Sequence, residues 1–133
     1  MKFLLDTSSC ILLLNRTSPK LARRVLAHPA RDFAISIVTA AELLFVVAKS
    51  RSTAKNARKV ALFRADVATV SLDERTIEMY AAIRSDLERR GVPIGPLDTF
   101  IAAHALSLDV TLVTSNLREF RRVRGLRCEA WTD

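Results

Sequence analysis

Residues 3–14 read Phe3-Leu4-Leu5-Asp6-Thr7-Ser8-Ser9-Cys10-Ile11-Leu12-Leu13-Leu14. A three-residue apolar run ends on an acid, and a hydroxyl cluster then leads into a second apolar run. Phe3-Leu4-Leu5 has the length of a short buried strand. Asp6 to Ser9 is a helix-start signal, with the first helix beginning over Ile11 to Leu14. The same alternation recurs outward along the chain. Pro19 fits the first turn of a helix over Lys20 to Ala27, where its missing N–H costs nothing. Phe33 to Ser36 reads as a second strand, and Thr39 as the cap of a helix carrying Glu42, Leu43, Phe45, Val46 and Val47. Ser52 or Thr53 caps the next helix, to about Arg64. Val67 to Leu72 is a third strand, and Asp73 caps a long helix that stops at Gly91. Pro93-Ile94-Gly95-Pro96 cannot be helical, and a helix restarts near Leu97 and runs to about Leu108. Thr111 to Val113 is a fourth strand, Asn116 to Val123 a short helix, and Cys128 to Trp131 a last edge strand. Strands that alternate with helices predict an α/β fold, a mostly parallel sheet of four to five strands between helical layers. The chain of 133 residues reads as one domain, 1–133.

Composition removes several function classes. Half the residues are apolar, which supports a packed core and excludes disorder. No apolar run approaches the ~20 residues of a membrane span. Phe3 to Leu5, interrupted by Asp6, is too short for the apolar core of a signal peptide. The two cysteines, Cys10 and Cys128, have no metal-type spacing and read as free thiols of a reducing cytoplasm, with their proximity left open. None of the three glycines lies in a phosphate-binding loop, so nucleotide cofactors lose support. The 21 Lys and Arg outweigh 14 Asp and Glu, for a net charge of +7, which points to a polyanionic partner, usually nucleic acid.

Ligands of open α/β sheets bind outside the carboxyl ends of the strands. Asp6 follows the first strand, Glu42 lies on the helix after the second, Asp98 opens a helix after the Pro-Gly-Pro stretch, and Ser115 and Asn116 follow the fourth strand. Four dispersed segments therefore meet at one edge. Clustered carboxylates raise one another's pKa, and a hard divalent cation removes that penalty. Oxygen ligands suit Mg2+ or Mn2+ rather than zinc. Such an ion beside a basic surface is what a metal-dependent nuclease requires. Taken singly, Asp6 reads equally as a helix cap, Asp98 as a partner of a helix dipole, and Asn116 more readily as a cap. Glu42, flanked by Ala40, Ala41, Leu43 and Leu44, is costly without a role.

The joint pattern resembles the PIN domain, and within it the VapC toxins of toxin–antitoxin modules. The likeness lies in Leu5-Asp6-Thr7-Ser8, in Ser36 to Leu43, in Pro93 to Ala105, and in Leu112 to Phe120, in order and over essentially the whole chain. It implies a three-layer α/β/α PIN-like fold and a Mg2+- or Mn2+-dependent endoribonuclease. Asp6, Glu42 and Asp98 then match the family's metal-binding and water-activating acids. Thr7 matches a hydroxyl position beside the first acid. Asn116 stands where many members carry a fourth Asp, so the expectation is one tightly held ion, with Asn116 and Ser115 positioning water. The likeness further implies structured RNA as substrate, best matched to tRNA and possibly the anticodon stem-loop of initiator tRNA. Its expected partners are a VapB-like DNA-binding antitoxin and a second copy in a homodimer, and its place is the cytoplasm.

Two basic surfaces complete the reading. Six basic residues and no acid lie between Lys49 and Ala65; Arg51, Lys55, Arg58 and Lys59 share one helical face, with Ala54, Ala57, Ala61 and Leu62 turned inward. The second surface is Arg118, Arg121, Arg122, Arg124 and Arg127, offset only by Glu119. Phosphate contacts from such residues dominate nucleic-acid affinity. Arg118, Arg121, Arg122, Lys55, Arg58 and Lys59 are the candidate RNA contacts, although Arg118 is also free to pair with a local acid. Phe3, Phe33, Phe45 and Phe100 are expected in the core. Tyr80 and Trp131 are read as packing or dimerisation residues rather than base-stacking ones. His104, six residues past Asp98 on one helix, points away from it and is read as structural. Two other classes remain as competitors. A non-catalytic RNA-binding module finds its support in Asn116. An aspartate-nucleophile phosphatase needs a second acid where Ser8 stands.

Overall fold

The computed structural model describes residues 1–132. The chain runs β1 (Phe3–Leu5), α1 (Thr7–Leu14), α2 (Pro19–Leu26), a 3-10 turn (Ala30–Asp32), β2 (Phe33–Ser36) and α3 (Ile37–Lys49). It continues through α4 (Thr53–Asp66), β3 (Ala68–Val70), α5 (Glu74–Arg89), α6 (Pro96–Leu108), β4 (Thr111–Val113), α7 (Leu117–Phe120) and β5 (Cys128–Glu129). The strands form one five-stranded sheet in the order β3-β2-β1-β4-β5. Every pairing is parallel, with Phe3 opposite both Phe33 and Thr111. All carboxyl ends therefore share one edge. The chain builds β1, β2 and β3 to one side, then returns to lay β4 against the other side of β1. That reversal opens a crevice between β1 and β4.

Side chains alternate across the strands and define two cores. Leu5, Phe33, Ile35 and Val113 pack with Cys10, Leu21, Leu43 and Val60 of α1 to α4. Leu4, Ala34 and Leu112 pack on the other face with Leu87, Ile101, Ala105 and Phe120 of α5 to α7. This is the expected three-layer α/β/α arrangement. Cys10 lies in the first core and Cys128 packs against the second, so the sheet separates the two free thiols. Among the described residues no helix is long and apolar enough to cross a membrane.

The element boundaries shift where strand and helix abut without a loop. Helix α1 starts at Thr7 rather than Ile11, because Asp6 itself is the cap. Helix α3 starts at Ile37, because Ser36, the last residue of β2, accepts the Val38 N–H at 3.1 Å. Thr39 is thus inside the helix and buried rather than capping it. Strand β3 is confined to Ala68–Val70, α7 stops at Phe120 and β5 at Glu129.

Two facing assignments are also corrected. Helix α4 turns Asn56, Val60, Phe63 and Arg64 toward the protein, the i, i+4, i+7, i+8 row. Ala54, Ala57 and Ala61 are exposed, and Leu62 is 61 % exposed. Helix α3 buries Thr39, Leu43 and Val47, so Phe45 points to the opposite side and is 63 % exposed under the Lys49 ammonium. Tyr80 stacks on Phe100, and Trp131 is buried against Phe3 and His28.

Candidate active site

Asp6 occupies the crevice edge because β1 ends and α1 begins there. Its carboxylate caps α1, with Oδ1 accepting the Ser9 N–H at 2.8 Å. The Ser8 hydroxyl lies 3.0 and 2.9 Å from its two oxygens and donates to them. From across the crevice the Thr114 hydroxyl donates to Oδ2 at 2.5 Å. Thr114 Oγ1 also accepts the Asn116 N–H at 2.8 Å, so its own proton is committed to Asp6. Ser115 donates to Ser8 Oγ at 2.8 Å, which commits the Ser8 proton in the same way. Every partner of Asp6 is thus a donor, an arrangement that requires a carboxylate. Burial raises the Asp6 pKa, and the bonds from Thr114, Ser9 and Ser8 oppose that rise.

Glu42 reaches the same edge from α3. Thr7 Oγ1, one residue past Asp6, donates to Glu42 Oε1 at 2.6 Å and lies 3.2 Å from Thr39 Oγ1. Glu42 is half-buried with a fixed hydroxyl partner, while its neighbours Ala41 and Leu44 face outward. Asp98 sits in the first turn of α6, half-buried. Burial pushes its carboxyl up to about 6, reinforced by the negative charges of Asp6, Glu42 and Glu119. These acids therefore feel one another, and the strain of their like charges falls on Asp98.

Glu119 is the acid that sequence reading missed. In the sequence it reads as an offset to the neighbouring arginines. It lies one helical turn beyond Asn116, just past β4, and that i, i+3 spacing at a strand's carboxyl end is the signal that would have found it. Thr114 has no signal of its own in the sequence, where it is one more hydroxyl beside Ser115 and Asn116. Asn116 joins the network through its backbone N–H and stands half-buried at the start of α7. His104 is buried, with Nδ1 2.8 Å from Ser36 Oγ, and the acid whose charge reaches it is Asp73 rather than any of the cluster.

The donor set is all oxygen and anionic, which suits a hard divalent cation. Among the described residues, no group of three or more His, Cys, Asp or Glu side chains stands ready-made as a metal cage. The uncompensated charge on Asp98 is nevertheless what a cation among Asp6, Glu42 and Asp98 would relieve.

The basic residues divide by location. Arg118 and Arg121 are exposed, one on α7 beside Glu119 in sequence and the other directly after that helix. Arg122 donates to the Pro93 carbonyl at 3.0 Å. Lys55, Arg58 and Lys59 are exposed on α4. Lys55 and Lys59 adjoin Leu13, Leu14 and Arg16, at the end of α1 opposite Asp6. The eight residues of α1 span roughly 12 Å between that end and Asp6.

The PIN domain family profile matches residues 3–126. Over 131 residues, 98% of each chain, the sequence is 35% identical to the tRNA(fMet)-specific endonuclease VapC of Salmonella typhimurium. It is 32% identical over 132 residues to ribonuclease VapC2 of Rickettsia felis, again covering 98% of both. The fold superposes on the crystal structure of DNA-bound VapBC from Salmonella typhimurium with a TM-score of 0.93, at 35% identity and 98% coverage of each chain. With the acids meeting at the edge that the fold predicts and the likeness spanning nearly the whole sequence, the chain belongs to the PIN domain family.

Proposed function

We propose that this chain is a metal-dependent endoribonuclease, the toxin of a toxin–antitoxin pair, and that it cleaves tRNA. Asp6, Glu42 and Asp98 are the residues that would hold Mg2+ or Mn2+, with Glu119 supplying the fourth carboxylate that Asn116 lacks. A bound ion of this kind polarises a phosphodiester and lowers the pKa of a water. The chain's own groups prepare the place. Three donors keep Asp6 anionic and fixed in direction. Thr7 holds Glu42 against the same edge. Ser115 and Asn116 line the mouth, where their hydroxyl and amide can orient water. Arg118 and Arg121 lie where a phosphate backbone would enter.

The observation that carries this reading is the convergence of Asp6, Glu42, Asp98 and Glu119 from four separate segments, coupled through the Asp98 carboxyl. The endonuclease of Salmonella typhimurium named above supports initiator tRNA as the substrate. The competing reading, an RNA-binding module without catalysis, drew on Asn116 alone, and Glu119 restores the acid it lacked. The toxin–antitoxin assemblies among the structural neighbours support a VapB-like partner. An apolar groove of about 580 Å³, lined by Leu12, Leu13, Val25, Leu26, Phe33 and Phe63, fits an amphipathic segment of such a partner. The reading includes a cytoplasmic homodimer, for which Ile37, Leu44 and Phe45 of α3 offer an exposed apolar face.

The test is cleavage of purified initiator tRNA, with Mg2+, with Mn2+ and with EDTA, by wild type beside Asp98→Asn. Two discrete fragments are expected only from wild type with metal. Undiminished cleavage in EDTA, or by Asp98→Asn, overturns the reading. Salt-sensitive tRNA binding without any cleavage would favour the binding module.

A further inference from the structure

Asp98 and Glu119 belong to segments far apart in sequence, and a small group of arginines ties those segments together. Arg90, the residue that ends α5, donates to Asp86 Oδ2 through Nε at 3.0 Å and Nη2 at 2.6 Å. The same Nη2 donates to the Arg122 carbonyl at 2.6 Å. Arg122 in turn donates from Nη1 to the Pro93 carbonyl at 3.0 Å. Arg124 adds a longer pair to Asp86, with Nε 3.7 Å from Oδ2. These bonds lie at the protein surface, with the Asp86 and Arg90 side chains 29% and 30% exposed, and they are set apart from a single ion pair by running through two backbone carbonyls as well.

The geometry of the chain gives these bonds a consequence. Pro93 lies five residues before Asp98, in a stretch that Pro93 and Pro96 keep out of a helix and that has few backbone bonds of its own. Arg122 lies three residues after Glu119, directly past the short α7. The Arg122 guanidinium therefore grips the strand of chain that delivers Asp98, while its carbonyl is held by Arg90. One residue links both sides of the acid pair.

Resting on the nuclease reading, we infer that Arg122 is a positioning residue that sets the separation of Asp98 and Glu119, and not a contact to RNA. Arg90 serves the same clamp from α5. Partners bonded directly to metal ligands are worth about 10- to 100-fold in metal affinity or activity, and Arg122, which acts through the Pro93 carbonyl one step further out, belongs at the lower end. A guanidinium already bonded to Pro93 has fewer donors left for phosphate.

The experiment uses the full chain with Arg122→Ala, Arg122→Lys, Arg90→Ala and the Arg90→Ala/Arg122→Ala pair. Mn2+ binding is read by electron paramagnetic resonance of the free ion, and kcat, KM and salt dependence are read on tRNA. Arg122→Ala and Arg90→Ala are each expected to weaken Mn2+ binding about 10-fold and to lower kcat, with KM and salt slope within about twofold of wild type. The pair is expected to be little worse than either single change, because both break one clamp. Arg122→Lys keeps a donor for Pro93 and is expected to recover most of the binding. Unchanged Mn2+ binding with a raised KM and a salt slope reduced by about one would make Arg122 an RNA contact and overturn the inference. Hydrogen exchange at the Val92 and Thr99 N–H groups, which donate to the Leu87 and Gly95 carbonyls and bracket the Pro93 to Asp98 stretch, keeps the two readings apart. If wild type binds no metal and cuts no RNA, the nuclease reading fails, while faster exchange there in Arg122→Ala still supports the clamp and unchanged exchange refutes it.

Discussion

Replacing Thr114 with valine keeps the shape of a side chain that is 1 % exposed and deletes its hydroxyl. Two bonds are lost, the donation to Asp6 Oδ2 at 2.5 Å and the acceptance of the Asn116 N–H at 2.8 Å. The first is a hydrogen bond to a charged group, worth about 1.5–3 kcal/mol. The second is neutral, worth about 1 kcal/mol. The pH dependence follows from the Asp6 pKa, which burial already raises and which Thr114 opposes most strongly among its hydrogen bonds. Deleting that donor raises it further. A carboxyl whose pKa is higher folded than unfolded destabilises the fold only when the pH is high enough to remove its proton. The Asp6 share of the loss is therefore absent below the ordinary value of 3.8 and grows as the pH rises through the folded-state value. Urea unfolding of wild type and Thr114→Val from about pH 3.5 to pH 8 reads this directly. The variant is expected to lose about 2.5–4 kcal/mol at neutral pH and only about 1 kcal/mol at the acid end. In an Asp6→Asn background the pH-dependent part should vanish. A loss of equal size at every pH would refute the assignment of Asp6 as a carboxylate held by Thr114.

Other outcomes test other parts of the site. Glu119→Gln removes one of the charges that push Asp98 up to about 6, so the Asp98 carboxyl should titrate lower when followed by carbon-13 NMR; an unmoved value would place Glu119 outside the cluster. Arg118→Ala should weaken tRNA binding and reduce its salt slope by about one. Lys55→Ala with Lys59→Ala should weaken binding while leaving the cleavage rate at saturating tRNA within about twofold, since both lie at the far end of α1. Leu26, 82% exposed on the groove rim, should weaken antitoxin capture at least about 10-fold as Leu26→Asp, with tRNA cleavage unchanged, as read by calorimetry and gel assay.

The legible parts of the fold were those set by local chemistry. Phe33–Ser36 and Thr111–Val113 match their expected strands because apolar runs that short, bounded by turn and cap residues, suit a strand buried on both faces. Asp73 caps α5 as its neighbours predict, and Gly91, at φ 71°, takes the left-handed conformation that ends it. The start of α3 lies three residues earlier than the cap at Thr39 implies, because Ser36 closes a strand and caps a helix at once, which no local signal distinguishes from a separate cap at Thr39. Phe45 was misassigned because α3 is apolar nearly all round, so hydrophobicity alone did not reveal which stripe faces the sheet.

The site divides along the same line. Asp6 and Asp98 were readable because one follows a strand and the other opens a helix, and Glu42 because it is an acid among apolar neighbours on the helix that leaves β2; a parallel sheet brings such segments to one edge whatever the details of packing. Thr114 was not, since its bond to Asp6 depends on β4 lying beside β1, a pairing between residues more than a hundred positions apart, and Glu119 shows in sequence only a spacing of three from Asn116, its action on Asp98 being set by the fold. The same holds for Arg122, whose charge predicted a nucleic-acid contact but whose guanidinium the fold directs to the Pro93 carbonyl. Sequence alone determined the element types, the acidic edge and the basic character, because those follow from neighbours and spacing. Only the tertiary structure decided which hydroxyl holds which carboxylate and which arginines remain free for RNA, because a hydrogen bond is fixed by distance and direction that local sequence does not encode.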